Sequence, residues 1–244
     1  MQTRNKVVFI TGGSAGIGFA LARAFHLADN EVVICGRNTD RLRAASEQLP
    51  EVHTIQCDIT DVQQVTALAE RLEAEFGGLD VLVNNAGVQC RYPKFHEAED
   101  ALEQIQMEID VNLTALVNLT HLLLPQLLAR TEAAVVNMSS VLALVPREDV
   151  PVYCATKAGV HAFSMSLRRQ LKSTPVRVFE VMPPEVDTEM TAYKDANKMS
   201  PDALASAVMR ALAKDRYEVR AGVARTLALI NRFSPRLAAY MVHN

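Results

Sequence analysis

The sequence predicts an α/β fold: a doubly wound parallel sheet of about seven strands with helices on both faces. Three observations predict it. Short apolar runs rich in β-branched residues recur along the chain, capped helical segments separate them, and a glycine cluster after the first run opens the first helix. Strands separated by helices pair in parallel through right-handed crossovers, so ligand-binding residues are expected just after the strands.

The first strand is Lys6-Val7-Val8-Phe9-Ile10, and the turn Thr11-Gly12-Gly13-Ser14-Ala15-Gly16-Ile17-Gly18 leads into a helix from about Ala15 through Arg23. Glu31-Val32-Val33-Ile34-Cys35 is the second strand, followed by Gly36-Arg37-Asn38 and a helix that Thr39 or Asp40 caps. His53 to Cys57 is a weaker third strand. Asp58 to Glu75 carries a helix with apolar residues at Val62, Val65, Leu68, Ala69 and Leu72. Leu79 to Val83 is the fourth strand. Helices over Ala98–Asp110 and Val111–Ala129 follow, and Pro125 is expected to kink the second of these or end its regular hydrogen bonding. Ala133 to Met138 is strand five, Val150–Leu171 a helix and Val176–Val181 strand six. Pro201–Ala213 reads as a helix, Tyr217-Glu218-Val219 as a short final strand, and Gly222–Phe233 as a helix stopped near Pro235.

The 244 residues fit one large domain over 1–244, with a substrate lid at about 187–200 and a helical extension at about 222–244. A net charge of −3 and no basic run argue against nucleic acid as a partner. Cys35, Cys57, Cys90 and Cys154 lie scattered without C-x-x-C spacing, and the six histidines show no ligand spacing, so no metal is expected and a reducing cytoplasm fits. No stretch is expected to reach the roughly 18 apolar residues of a membrane span, and the first residues lack a signal-peptide core.

Two features carry chemistry. Gly12, Gly16 and Gly18 permit a tight turn, close approach of a pyrophosphate, and helix packing on the strand, with the first helical amides facing the anion. The spacing is G-x-x-x-G-x-G, different from the common G-x-G-x-x-G. Tyr153 and Lys157, four apart on a helix, share one face; a nearby ammonium favours phenolate and so suits Tyr153 to general acid or base work. Such a pair also arises between ordinary surface neighbours. Its surroundings decide.

Those surroundings are Thr11 to Gly18, Asp58, Asn84-Asn85-Ala86-Gly87, Asn112, Ser140 and Tyr153-x-x-x-Lys157. In order and spacing they resemble the short-chain dehydrogenase/reductase family, over nearly all of the chain to about Thr188. Ile34-Cys35-Gly36-Arg37 and the Pro183 to Thr188 segment resemble its bacterial DltE-like subgroup. The resemblance implies a three-layer Rossmann fold and an oxidoreductase that moves a hydride between a nicotinamide cofactor and a carbonyl or alcohol. It further implies that Tyr153 exchanges a proton with the substrate oxygen, while Lys157 lowers its pKa and holds the nicotinamide ribose. Ser140, selected over Ser139 because the family's serine stands thirteen residues before the tyrosine, orients the substrate. Asn112 distorts its helix and holds a water linking Lys157 to solvent. The resemblance assigns the cofactor to Gly12, Ser14, Gly16, Ile17 and Gly18, with Asp58 on the adenine and Asn84, Ala86 and Gly87 on the adenosine side and the central sheet. Pro183, Val186 and Thr188 meet the nicotinamide end.

Gly36 stands where an acid would hold the 2′-hydroxyl of NAD(H), and Arg37 follows, so NADP(H) is expected over NAD(H), with Asn38 and Arg41 assisting. Pro184 replaces the family's usual glycine, so the loop beside the nicotinamide must take another path or lose a contact. Cys154 is expected to be a small semi-buried filler. The pocket walls are expected from Gln89 to His96, Leu142 to Val152 and the lid. Arg225, Arg232 and Arg236 share one face of the last helical turns. Packing against the domain or a sister subunit of a homodimer or homotetramer is the expected use of the opposite, apolar face; a peripheral membrane contact is the sharper alternative. The competing functions are an NADP(H)-binding sensor or scaffold without turnover, and a dehydratase or epimerase on the same fold.

Overall fold

In the computed structural model of the chain, residues 1–92, 94–98, 101–193 and 198–243 are described. Seven strands form one parallel sheet: β1 (Val7–Thr11), β2 (Glu31–Gly36), β3 (His53–Gln56), β4 (Val81–Asn84), β5 (Ala133–Met138), β6 (Val176–Met182) and β7 (Glu218–Arg220). Their order is β3-β2-β1-β4-β5-β6-β7, every pair parallel. The order reverses beside β1, which lies between β2 and β4; a crevice at the carboxyl ends of β1 and β4 is where such sheets bind ligands.

Helices cover both faces, as the near-continuous apolar character of the strands requires. On one side α1 (Gly16–His26), α2 (Thr39–Gln48) and α7 (Pro201–Ala213) bury Leu21, Phe25, Leu42, Leu204 and Val208 against Val8, Ile10, Ile34 and Val136. On the other, α3 (Val62–Phe76), α5 (Ala115–Leu128) and α6 (Pro151–Gln170) bury Leu72, Leu119, Leu123 and Leu167 against Phe9, Val33, Leu82 and Val135. Before α5 stands α4 (Ala101–Ile109), and the chain ends in α8 (Val223–Phe233) and α9 (Pro235–His243). Part of the helix expected over 98–110, at 99–100, lies outside the described residues.

Several sequence expectations change. The cap of α2, expected at Thr39 or Asp40, is Asn38, and Thr39 is already the first helical residue. The helix after β3 begins at Val62 under an Asp61 cap, leaving Asp58 in the preceding turn, where its carboxylate accepts from Thr60. Pro125, expected to kink this helix or end its regular hydrogen bonding, lies inside α5, which continues to Leu128. The helical run Ala101–Leu128 is, by length and composition alone, long and apolar enough to cross a membrane, contrary to expectation. Residues 111–129 contain no Asp, Glu, Lys or Arg. Leu119, Leu123 and Leu127 of that run are buried against the sheet, so here its apolar character serves the core.

Under the carboxyl ends of β4 and β5 lies a buried polar network. The Asn84 carboxamide donates to Thr120 Oγ1 and Asn137 Oδ1, both at 2.9 Å, and Asn137 donates to Ser164 Oγ at 2.9 Å. These bonds join β4, β5, α5 and α6 directly beneath the site. Removing one partner strands buried donors and acceptors, each costing about 1–3 kcal/mol. Asn137→Ala should therefore lower unfolding free energy by about 2 kcal/mol, measured by urea denaturation; an unchanged midpoint would contradict this account of the sheet.

Candidate active site

The site begins at the β1–α1 turn. Gly12 and Gly16 have φ of +63° and +54°, the left-handed region that glycine occupies without strain. At Gly18 the demand is for space, because a Cβ would sit 2.2 Å from the Gly12 carbonyl oxygen. The Ala15 side chain caps nothing and the first turn of α1 carries no acid, so its leading amides face the crevice without a side-chain partner.

Thr11 and Asn85, neither singled out from sequence, fasten this turn to β4. Thr11 Oγ1 accepts from the amides of Asn85 and Ala86 at 3.0 Å, and Asn85 Nδ2 donates to the Thr11 and Gly12 carbonyls at 2.9 and 3.2 Å. Ala86 thus sits against Gly12. The Asn84 side chain, expected on the adenosine side, instead points into the core, because alternation along β4 turns it toward Thr120. Its expected support of the central sheet holds. The signal for Asn85 was present, as the second member of an Asn-Asn pair must face opposite its neighbour.

The central group lies at the ends of β5 and α6. Ser140 leaves β5, accepts from Leu142 N at 3.1 Å, and is a polar neighbour of the Tyr153 phenol. Lys157 is buried, donates from Nζ to the Met138 carbonyl at 2.9 Å, and lies 5.5 Å from the centroid of the Tyr153 ring. Burial pulls the Lys157 ammonium down to about 8. Burial also pushes the Tyr153 phenol up to about 12, against the opposing effect of the neighbouring Ser140 hydroxyl. This reverses the expected lowering of Tyr153 by Lys157, since desolvation of the phenolate is the largest effect.

Asn112 sits, buried, in a π-helical turn over Asp110–Thr114 between α4 and α5, the local distortion expected of it. Its Oδ1 accepts from Val88 N and its Nδ2 donates to Val88 O, both at 2.8 Å, with a further bond to Thr156 Oγ1 at 3.3 Å. Gly87 passes close to both Asn112 and Lys157: a Cβ there would lie 3.1 Å from Asn112 Oδ1 and 3.5 Å from Lys157 Nζ.

A cleft of about 770 Å³ opens from this group. Ile17, Ser140, Tyr153, Pro183, Val186 and Thr188 all line it, so these predicted residues do converge. Pro184 lines it too, and Pro183 O accepts from Val141 N at 3.2 Å. The lid's base is tied: Met199 N donates to Glu185 O at 3.0 Å, Asp187 N to Met199 O at 2.9 Å, and Glu189–Thr191 forms a 3₁₀ turn capped by Thr188. Lid residues 194–197, and Pro93 of the expected wall, lie outside the described residues.

Arg147 was missed. It falls within the expected wall Leu142 to Val152, without an expected role of its own, and it is buried at the cleft wall. It pairs with Asp149 and donates to Glu185 Oε1 at 3.1 Å and to the Tyr193 hydroxyl at 2.8 Å. Arg91 lies 4.4 Å over the Tyr193 ring. Cys154 is buried with its thiol pushed up by desolvation, and it accepts from Arg147 N. Among the described residues no cluster of three or more His, Cys, Asp or Glu could hold a metal ion.

At the outer edge, Arg37 is exposed and stands 3.9 Å from Asp58 Oδ2. Gly36 faces Ser14, whose Oγ would lie 3.5 Å from an added Cβ. Asn38 caps α2 through the Arg41 amide, and the Arg41 guanidinium pairs with Glu189 at 2.9 Å. Both expected helpers of Arg37 are thus already engaged.

Residues 6–199 match the model of the short chain dehydrogenase family. The chain is 48% identical to the uncharacterized oxidoreductase DltE of Bacillus subtilis over 188 residues, 77% of this chain and 74% of that one. It is 31% identical to the uncharacterized oxidoreductase SA2266 of Staphylococcus aureus over 218 residues, 87% and 93% of the two chains. A short chain dehydrogenase from Burkholderia cenocepacia, solved with NADP, superposes with a TM-score of 0.88 at 28% identity over 100% of both chains. One from Burkholderia phymatum, solved with NAD, gives 0.86 at 20% identity, covering 100% of this chain and 97% of that one; this likeness is of fold. The matched span runs from the start of β1 through the glycine turn and the Tyr153 group to the neck of the lid. The chain therefore belongs to the short-chain dehydrogenase/reductase family, among its DltE-like oxidoreductases.

Proposed function

We propose that this oxidoreductase interconverts a carbonyl compound and its alcohol with NADP(H), using Tyr153 as the proton-transferring group. The observation that carries the reading is that Ser140 and Tyr153 line the cleft together, with the buried Lys157 ammonium 5.5 Å from the Tyr153 ring centroid and fixed on the Met138 carbonyl. The same reading has it act in the cytoplasm, as a homodimer or homotetramer, on a small carbonyl or alcohol.

The uncapped start of α1 and the Gly12, Gly16 and Gly18 geometry fit a dinucleotide phosphate. In this reading Gly12, Ser14, Gly16, Ile17 and Gly18 hold the phosphates, Asp58 with Ala86 and Gly87 the adenosine side, and Pro183, Val186 and Thr188 the nicotinamide end. Lys157 binds the adjoining ribose. Bound there, the nicotinamide supplies or accepts the hydride.

The chain's own residues manage the proton. A Tyr153 phenol held near 12 keeps its proton across the neutral range and is available to a carbonyl oxygen. Ser140, lining the cleft beside that phenol, orients the same oxygen. Lys157, titrating near 8, restores the phenol's proton after transfer. Asn112, bonded to Val88 and Thr156, is held in the π turn next to Gly87, which passes close to the ammonium.

The test is a panel of carbonyls and alcohols followed by NADPH absorbance. Tyr153→Phe should lower kcat by at least about 100-fold, the scale of a lost general acid, while NADPH binding measured by calorimetry persists. Tight NADPH binding with no turnover across the panel, or turnover unchanged in Tyr153→Phe, would overturn the assignment. For the cofactor, Gly36 brings no carboxylate to repel a 2′-phosphate and Arg37 lies exposed beside it. Arg37→Asp should lower the NADP-to-NAD ratio of kcat/KM by at least about tenfold, a carboxylate there favouring the 2′-hydroxyl; an unchanged ratio removes Arg37 from cofactor choice.

A further inference from the structure

Helices α8 and α9 are seated by their inner faces alone. Ala224, Leu227 and Ala228 of α8 and Ala238 of α9 are buried, and Asn231 Nδ2 donates to Leu144 O at 3.0 Å. Leu227 and Val242 join the cluster around Val141, Leu142 and Tyr153. The two helices thereby form one wall of the cleft, to which Val223 and Met241, from opposite ends of the pair, both contribute.

Their outer faces have more apolar surface than a solvated helix explains. Phe233 is 79% exposed, Tyr240 66% and Leu229 59%, and Val223, Leu237 and Met241 are exposed with them. Large exposed apolar side chains gathered on one short segment mark a contact surface. The two helices themselves carry charge of a single sign. Residues 221–244 contain Arg225, Arg232 and Arg236 and no Asp or Glu, so the remaining chain carries all 28 acids against 22 bases. Along α8, Arg225 and Arg232 flank the strip formed by Leu229 and Phe233, seven residues apart and so on one edge of it. A two-fold partner would set these arginines against their own copies, an arrangement that like charges disfavour.

We propose that the outer face of α8 and α9 docks on an anionic lipid bilayer. Leu229, Phe233, Leu237 and Tyr240 enter the headgroup boundary, and the three arginines meet lipid phosphates. Because Val223 and Met241 belong to both this face and the cleft wall, docking brings the cleft mouth to the lipid surface.

The test is cosedimentation of the full chain with phosphatidylcholine vesicles, with or without phosphatidylglycerol. Three surface arginines predict on the order of 100-fold tighter binding to the anionic vesicles, weakening as salt is raised. Phe233→Asp and Arg232→Glu lie at exposed positions, so each should weaken vesicle binding at least about tenfold with an unchanged thermal midpoint. Equal binding to both vesicle types, no binding to either, or undiminished binding by Phe233→Asp would overturn the proposal. A fall in oligomer mass for Phe233→Asp by light scattering, without lipid binding by the native chain, would instead assign the face to a second copy.

Discussion

A buried ammonium organises this molecule. Lys157 has almost no access to water, and an isolated charge in that position must be partnered or neutralised. Moving its pKa from 10.5 to about 8 corresponds to a cost of roughly 3 kcal/mol for keeping the charge. Between those values the unfolded chain holds a proton that folded Lys157 has lost, so this residue makes stability rise with pH through that window. The Met138 carbonyl, at the last residue of β5, is the partner that makes the position tolerable. Neighbouring features follow from that placement. Gly87 has no side chain because Asn112 and Lys157 occupy the space, and the π turn carries Asn112 to Val88 and Thr156.

The end of β5 must therefore be held firmly, and two buried networks hold it. On one side Ser139 Oγ donates to Glu180 Oε1 at 2.6 Å, and His161 Nδ1 lies 2.9 Å from Glu180 Oε2. Beneath it, Asn137 links Asn84 to Ser164. Both networks are anchored in α6, the helix that also carries Tyr153 and Lys157, so strand and helix are registered to each other by polar bonds as well as packing. In the crevice beyond, Thr11 and Asn85 perform the same service for the glycine turn. The glycine turn after β1 and the Tyr153 group at the end of β5 are thus both tied to β4, the strand between them.

The alternation of strands and helices was legible because buried parallel strands are apolar on both faces and the intervening helices carry their own caps and periodicity. The Tyr153 and Lys157 spacing and the glycine turn were legible because each depends on local backbone geometry, whereas the distortion at Asn112 was expected only from the family resemblance. What the sequence hid depends on which way a side chain faces once distant segments meet. Asn84 looked like a cofactor contact but alternation along β4 turns it into the core, while Asn85 beside it faces the turn. Arg147 sits in a polar turn and is buried only because Asp149, Glu185 and Tyr193 gather around it from separate segments. The reversal at Tyr153 has the same origin, since desolvation by surrounding elements outweighs what an i, i+4 neighbour contributes.

The most direct measurement is the pH dependence of kcat/KM for the proposed carbonyl reduction. With Tyr153 protonated to about 12 and Lys157 losing its charge near 8, reduction should be level through neutrality and fall as pH rises above about 8. A profile that stays level to pH 10 would contradict a desolvated Lys157 as the centre of the site.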